Sequence, residues 1–184
     1  MVESPESQVR SPMSRRIFPP SLLLILLLGL ILAACGSFST PLPALDGTEP
    51  VPNISLPTPD GDMLSISDYR GQVVFLNFWG TYCPPCVDEM PDLQAVYEEL
   101  KDEDFVLIGL NAEEKPEKIK AFVQENGITF PIVISDDATV NAIFGLKHMP
   151  TTWFIDKNGI LRGKMEGQMS KDMALRIAHK LLEE

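Results

Sequence analysis

Cysteine and histidine are scarce in this 184-residue chain, which carries three Cys and two His. Structural zinc takes four ligands, and no second closely spaced cysteine pair exists to supply them. The same count excludes a small exported domain held together by many disulfides. Positive charge is also short: 15 Lys and Arg stand against 26 Asp and Glu, a net charge of −11. That balance argues against nucleic acid as a partner and against docking on an anionic membrane surface. No internal repeat is visible, and the length suits one domain with a short extra segment.

The extra segment lies at the start. Arg10, Arg15 and Arg16 precede the uncharged run Ser21-Leu22-Leu23-Leu24-Ile25-Leu26-Leu27-Leu28-Gly29-Leu30-Ile31-Leu32. A positive region, an apolar core of about a dozen residues and small residues after it make a secretory signal. Leu32-Ala33-Ala34-Cys35-Gly36 resembles the lipobox of bacterial lipoproteins, whose cysteine is lipid-modified and becomes the mature N-terminus. The expected layout is a signal peptide over 1–34, with lipid on Cys35. An uncleaved signal anchor is the alternative, and both tether the domain to the outer face of a bacterial membrane. Ser14-Arg15-Arg16-Ile17-Phe18 also resembles a twin-arginine export signal, although so greasy a core favours ordinary unfolded export. Removing 1–34 leaves 12 basic and 24 acidic residues, a charge of −12. A Pro-rich stalk is expected over 35–52 and would span roughly 50 Å. The folded domain is then 53–184.

Within that domain strand-like and helix-like runs alternate. Residues 53–56 and 63–66, joined by Pro59-Asp60-Gly61, suggest a small hairpin. Val73-Val74-Phe75-Leu76-Asn77-Phe78-Trp79 is apolar on both faces apart from Asn77, as a central strand should be. Helical spacing of apolar residues marks 83–101, 116–126, 137–144 and 171–182. Strands are expected at 105–110, 130–134, 151–155 and 160–166, the last two flanking the turn Asp156-Lys157-Asn158-Gly159. The fold class is α/β: a central mixed sheet with helices on both faces and an N-terminal β-hairpin.

The chemistry sits at Cys83-Pro84-Pro85-Cys86, where the central strand runs into the first long helix. A helix start carries about half a positive charge and unpaired N–H groups, so a thiolate at Cys83 is stabilised. Prolines are tolerated in that first turn. Cys86 lies one turn deeper on the same face. One sulfur is thus exposed and acidic and the other shielded, which is the attacker-and-resolver arrangement that thiol–disulfide exchange requires. Two other readings exist: a copper site built from Cys83, Cys86 and His148, and an inert disulfide, whose two-residue loop would stabilise little.

Several spaced features resemble the thioredoxin superfamily over about residues 50–184. Phe78-Trp79-Gly80-Thr81-Tyr82-Cys83-Pro84-Pro85-Cys86 is similar to its active-site segment, Pro91 to its helix-kinking proline, and Met149-Pro150-Thr151 to its cis-proline loop. Leu76-Asn77-Phe78-Trp79-Gly80-Thr81 and the insert over 115–134 resemble the branch of membrane-tethered, extracytoplasmic thiol reductases of the ResA/TlpA type. That resemblance implies a role for Glu89, three residues after the second cysteine, in moving the dithiol's proton; spacing alone equally allows an exposed helix glutamate. It implies a docking groove of Trp79, Tyr82, Pro84, Met149 and Pro150. It also implies a protein disulfide as substrate, with apocytochrome c during cytochrome c maturation as one possibility, and a membrane electron donor. Asn77, where thioredoxin has a buried aspartate, cannot take up a proton. The pair itself is the redox group, and no cofactor or metal is expected. A disulfide oxidase of the same fold and a copper-carrying lipoprotein are the rival functions; a peroxide-reducing enzyme would need a lone reactive cysteine.

Overall fold

The structure, a computed structural model, describes residues 41–184; the expectations for the signal segment and Cys35 lie outside them. Two features of the central strand β4 (Val73–Trp79) organise everything else. All seven of its residues are buried, so it must be covered on both faces. Its side chains alternate between those faces. Val73, Phe75 and Trp79 enter one apolar core, with Asn77 on the same parity, while Val74, Leu76 and Phe78 enter the other.

Parallel β5 (Phe105–Ala112) and β6 (Ile132–Ser135) extend the sheet on one side of β4. Antiparallel β7 (Thr151–Ile155) and β8 (Ile160–Glu166) extend it on the other, and β1 (Glu49–Pro50) closes that edge. The order is therefore β1-β8-β7-β4-β5-β6, while β2 (Ser55–Pro57) and β3 (Met63–Ser65) pair as a separate hairpin. A short 3-10 turn, Ile66–Tyr69, follows the hairpin.

On the first face lie α1 (Pro84–Leu100), α2 (Pro116–Glu125) and α4 (Lys171–Leu182). Phe75 is wedged there between Phe105 and Phe154, at ring separations of 5.1 and 4.8 Å. The second face is covered by α3 (Asp137–Phe144) and the hairpin, with Phe78, Phe144 and Trp153 packed edge to face. Each such aromatic pair adds about 1 kcal/mol beyond the area it buries.

The second half of the segment read as a stalk is docked on the sheet instead. Leu45 and Val51 are buried, one in each core, and β1 pairs with β8. Gly47 donates its N–H to the Arg162 carbonyl at 2.9 Å, and a Cβ there would sit 2.3 Å from the Leu161 carbonyl oxygen. Arg162 Nη2 donates to the Leu45 carbonyl at 3.0 Å. The folded unit thus takes in residues of the 41–52 segment and is not confined to 53–184. Proline favours extended backbone, which is as suited to lying along a sheet edge as to bridging solvent.

Candidate active site

Strand β4 delivers the chain to the start of α1, and Cys83 is the N-cap of that helix. Its carbonyl accepts the N–H groups of Cys86 and Val87 at 3.0 and 3.1 Å. Pro84 and Pro85 fill the first two helical positions. Neither proline has an N–H, so two of the donors expected to favour a Cys83 thiolate do not exist. The helix dipole is left as the main stabilising influence. Cys83 and Cys86 are joined by a disulfide, with Cα atoms 5.2 Å apart. Cys83 keeps 9% of its surface exposed and Cys86 none. Cys86 is the more deeply buried of the two, in the order helix spacing predicts, but Cys83 is largely buried as well and shows only a small surface.

Beneath the pair lies a buried polar group of three side chains. Glu89, on the inner face of α1 three residues after Cys86, is fully buried. The odd parity of Asn77 in β4 points its amide toward α1, and its Nδ2 donates to Glu89 Oε1 at 2.8 Å. Sheet register sets Thr152 of β7 opposite Asn77, and the same Nδ2 donates to Thr152 Oγ1 at 3.0 Å. The Met169 N–H donates to Glu89 Oε2 at 2.9 Å. Burial pushes the Glu89 pKa up; the Met169 and Asn77 hydrogen bonds oppose this, nearby Asp92 adds to it, and the result is about 7. A carboxyl poised there takes up or gives away a proton near neutral pH. Neither Thr152 nor the Met169 amide carries a signal in the sequence, because strand register and loop docking bring them in.

The remaining expected residues divide. Tyr82 is 54% exposed and Pro84 is exposed beside the disulfide. Met149 is half-buried against the cluster containing both cysteines, and Met149–Pro150 is a cis peptide. Pro150 is buried, and its carbonyl accepts the Gly167 N–H at 2.8 Å. Trp79 does not line a groove. It has no exposed surface and packs on Phe122 of α2 at 5.2 Å, because its parity turns the ring into the core. Among the described residues no cluster of three or more His, Cys, Asp or Glu is arranged to hold a metal ion, and no helix is long and apolar enough to cross a membrane.

A cysteine pair at a helix start, backed by a mixed sheet and faced by a cis-proline loop, defines a thioredoxin-fold dithiol oxidoreductase. The sequence profile of the AhpC/TSA family matches residues 48–164. The thiol-disulfide oxidoreductase ResA of Halalkalibacterium halodurans is 37% identical over 121 residues, which is 66% of this chain and 69% of that protein. ResA of Geobacillus thermodenitrificans is 34% identical over 158 residues, 86% of this chain and 91% of that one. Among solved structures, a thiol:disulfide interchange protein of the thioredoxin family from Chlorobium tepidum superposes with a TM-score of 0.68 at 28% identity. The match covers 73% of this chain and 97% of that one. A secreted thiol-disulfide isomerase from Corynebacterium glutamicum gives the same TM-score and identity over 73% and 86% of the two chains. The chain belongs to the AhpC/TSA family, among the thiol-disulfide oxidoreductases of the ResA kind.

Proposed function

We propose that this protein is an extracytoplasmic disulfide reductase, anchored to the bacterial membrane by lipid on Cys35. The observation that carries the reading is the exposure difference within the pair, set above a buried carboxyl that titrates near neutral pH. In the reduced protein the Cys83 thiolate attacks a substrate disulfide. A Cys83–substrate bond forms, the substrate S–S bond breaks, and one substrate thiolate leaves. The Cys86 thiol then gives its proton to the Glu89 carboxylate and attacks the Cys83 sulfur. The second substrate thiolate leaves, two electrons have passed to the substrate, and the Cys83–Cys86 disulfide is regenerated.

Asn77 suits this proton traffic. Its Nδ2 donates to charged Glu89, while its Oδ1 is buried without a partner. Turned over, the amide would offer that oxygen to the O–H of protonated Glu89, so both states can be satisfied. Tyr82, Pro84, Met149 and Pro150 would form the docking surface. The ResA-named relatives, thiol-disulfide oxidoreductases by name, support a protein disulfide as substrate; the two-cysteine haem-attachment motif of apocytochrome c is the candidate target that the family resemblance suggests. Electrons for re-reduction would come from a membrane donor.

The test is to trap the partner. Cys86→Ala should accumulate mixed disulfides through Cys83, and identifying them names the substrate. Equal trapping by Cys83→Ala overturns the assignment of attacker. The direction of electron flow is tested by the reduction potential; a value near about −120 mV, typical of a strong oxidant, would sink the reductase reading.

A further inference from the structure

A second carboxylate reaches the active-site segment from the opposite side to Glu89. The turn of residues 80–83 is closed by a hydrogen bond from the Cys83 N–H to the Gly80 carbonyl at 3.1 Å. Thr81 is its first central residue, and both of its donors go to one side chain. The Thr81 N–H reaches Glu114 Oε2 at 2.6 Å, and Thr81 Oγ1 reaches Oε1 at 2.5 Å. Glu114 also accepts from Asn111 Nδ2 at 2.9 Å and Lys118 Nζ at 2.6 Å. Four donors therefore converge on a side chain that is 6% exposed.

The topology produces this contact. Trp79 at the end of β4 pairs with Asn111 near the end of β5, so the loops leaving both strands lie side by side. Glu113 then takes a left-handed conformation, φ 64°, unusual for a side chain other than Gly, and the chain turns Glu114 back toward Thr81. The turn is tight on its other side too. A Cβ on Gly80 would come within 2.7 Å of the Tyr82 ring, so the ring lies against the glycine.

We propose that Glu114 is a positioning residue for thiol–disulfide exchange, its carboxylate clamping Thr81 so that the turn holds Cys83 Sγ and the Tyr82 ring where substrate meets them. It exchanges no proton in the reaction. Burial raises its pKa, but the hydrogen bonds from Asn111, Lys118 and Thr81 outweigh burial and hold it at about 2, so it stays charged throughout the working range. The clamp acts on the step in which the Cys83 thiolate forms its bond to one substrate sulfur and the other leaves as thiolate. The inference rests on Cys83 being the attacker.

The test uses the reduced full-length protein with insulin as the disulfide substrate, and hydrogen exchange over residues 79–87. Glu114→Ala should slow the second-order reaction about tenfold, since small displacements of a reacting group carry large rate penalties. It should also speed amide exchange at 81–83 while leaving β4 and β5 protected. Glu114→Gln keeps the size but offers one accepting oxygen, and should fall between Glu114→Ala and wild type. Lys101→Ala, which breaks an exposed ion pair with Glu98, is the control for general surface effects and should react like wild type.

A folded Glu114→Ala protein with wild-type rate and wild-type exchange at 81–83 overturns the proposal, even if its melting temperature falls. Should Glu114→Ala fail to fold, Thr81→Val, which loses the hydroxyl donor and keeps the N–H, carries the test; a wild-type rate and exchange pattern there overturns it equally. Cys83→Ala and Cys86→Ala are measured alongside. If both react with insulin equally fast, the attacker assignment has failed, whatever Glu114 does. If only Cys83→Ala is inert and the Glu114 variants match wild type, the assignment stands and the clamp falls.

Discussion

Glu89 and Glu114 approach the same dithiol segment from two sides and are shifted in opposite directions. Both side chains are shielded from water, at 0% and 6% exposure, yet one titrates at about 7 and the other at about 2. Burial alone would push both up. The difference is in the donors. Glu89 receives two hydrogen bonds, both from neutral groups, and Glu114 receives four, one from a lysine ammonium. Two neutral donors leave desolvation in command, whereas four donors, one of them a cation, reverse it. The carboxyl suited to moving a proton and the carboxylate suited to holding a loop are thus separated by what points at them.

The largest test removes one side of that comparison. Glu89 has a folded pKa above its unfolded value, so the native state holds its proton longer than the unfolded chain does. Its contribution is greatest below about pH 4.5 and is lost as pH rises toward 7. A rise from 4.5 to about 7 corresponds to roughly 3 kcal/mol of stability lost over that window. Glu89→Gln should abolish this slope in denaturant melts from pH 4 to 8, and should alter the pH dependence of thiol exchange near neutrality. An unchanged exchange profile would return Glu89 to a purely structural part. Glu114 gives the opposite sign: its stabilisation is present above about pH 4.5 and is lost as pH falls toward 2.

A step smaller, Asn77→Ala takes away one of the two donors on Glu89. Its pKa should rise further by about one unit, the value of a hydrogen bond to a charged group. A carbon-detected titration of the Glu89 carboxyl measures this, and a fall would break the donor-count explanation. The rule extends to a third anion, the Cys83 thiolate. Pro85→Ala restores one N–H at the helix start and should increase the thiolate absorbance of the reduced protein at neutral pH; no change would confine the rule to the carboxylates. Smallest is Lys118→Ala. Its side chain is 59% exposed, so losing the ion pair to Glu114 should cost at most about 1 kcal/mol in a denaturant melt.

Much of this arrangement was legible along the chain. The two-faced apolar run of β4 marked the centre of the sheet, and helical spacing placed Cys86 and Glu89 together on the inner face of α1. The four helices lie where apolar periodicity set them, within a residue or so at the ends. What escaped depends on distant pairing. Glu114 stands in the charged stretch Glu113-Glu114-Lys115-Pro116-Glu117-Lys118 and reads as surface until β4 and β5 are in register. Thr152 becomes a neighbour of Asn77 only through β7. Trp79 was expected at the groove from the family resemblance, but strand parity sends it inward. Composition likewise could not tell a Pro-rich segment crossing solvent from one lying on an edge strand.

That last segment changes how the enzyme would search for its substrate. If lipid is carried on Cys35 as proposed, the packing of Leu42 against the core leaves at most seven residues between anchor and folded body, an extended reach of no more than roughly 20 Å where a stalk ending at residue 52 would give roughly 50 Å. Reach enters the accessible volume as its cube, so the effective concentration near the anchor rises roughly fifteenfold. A protein so anchored would patrol a thin layer at the bilayer surface, suited to clients that are themselves held there.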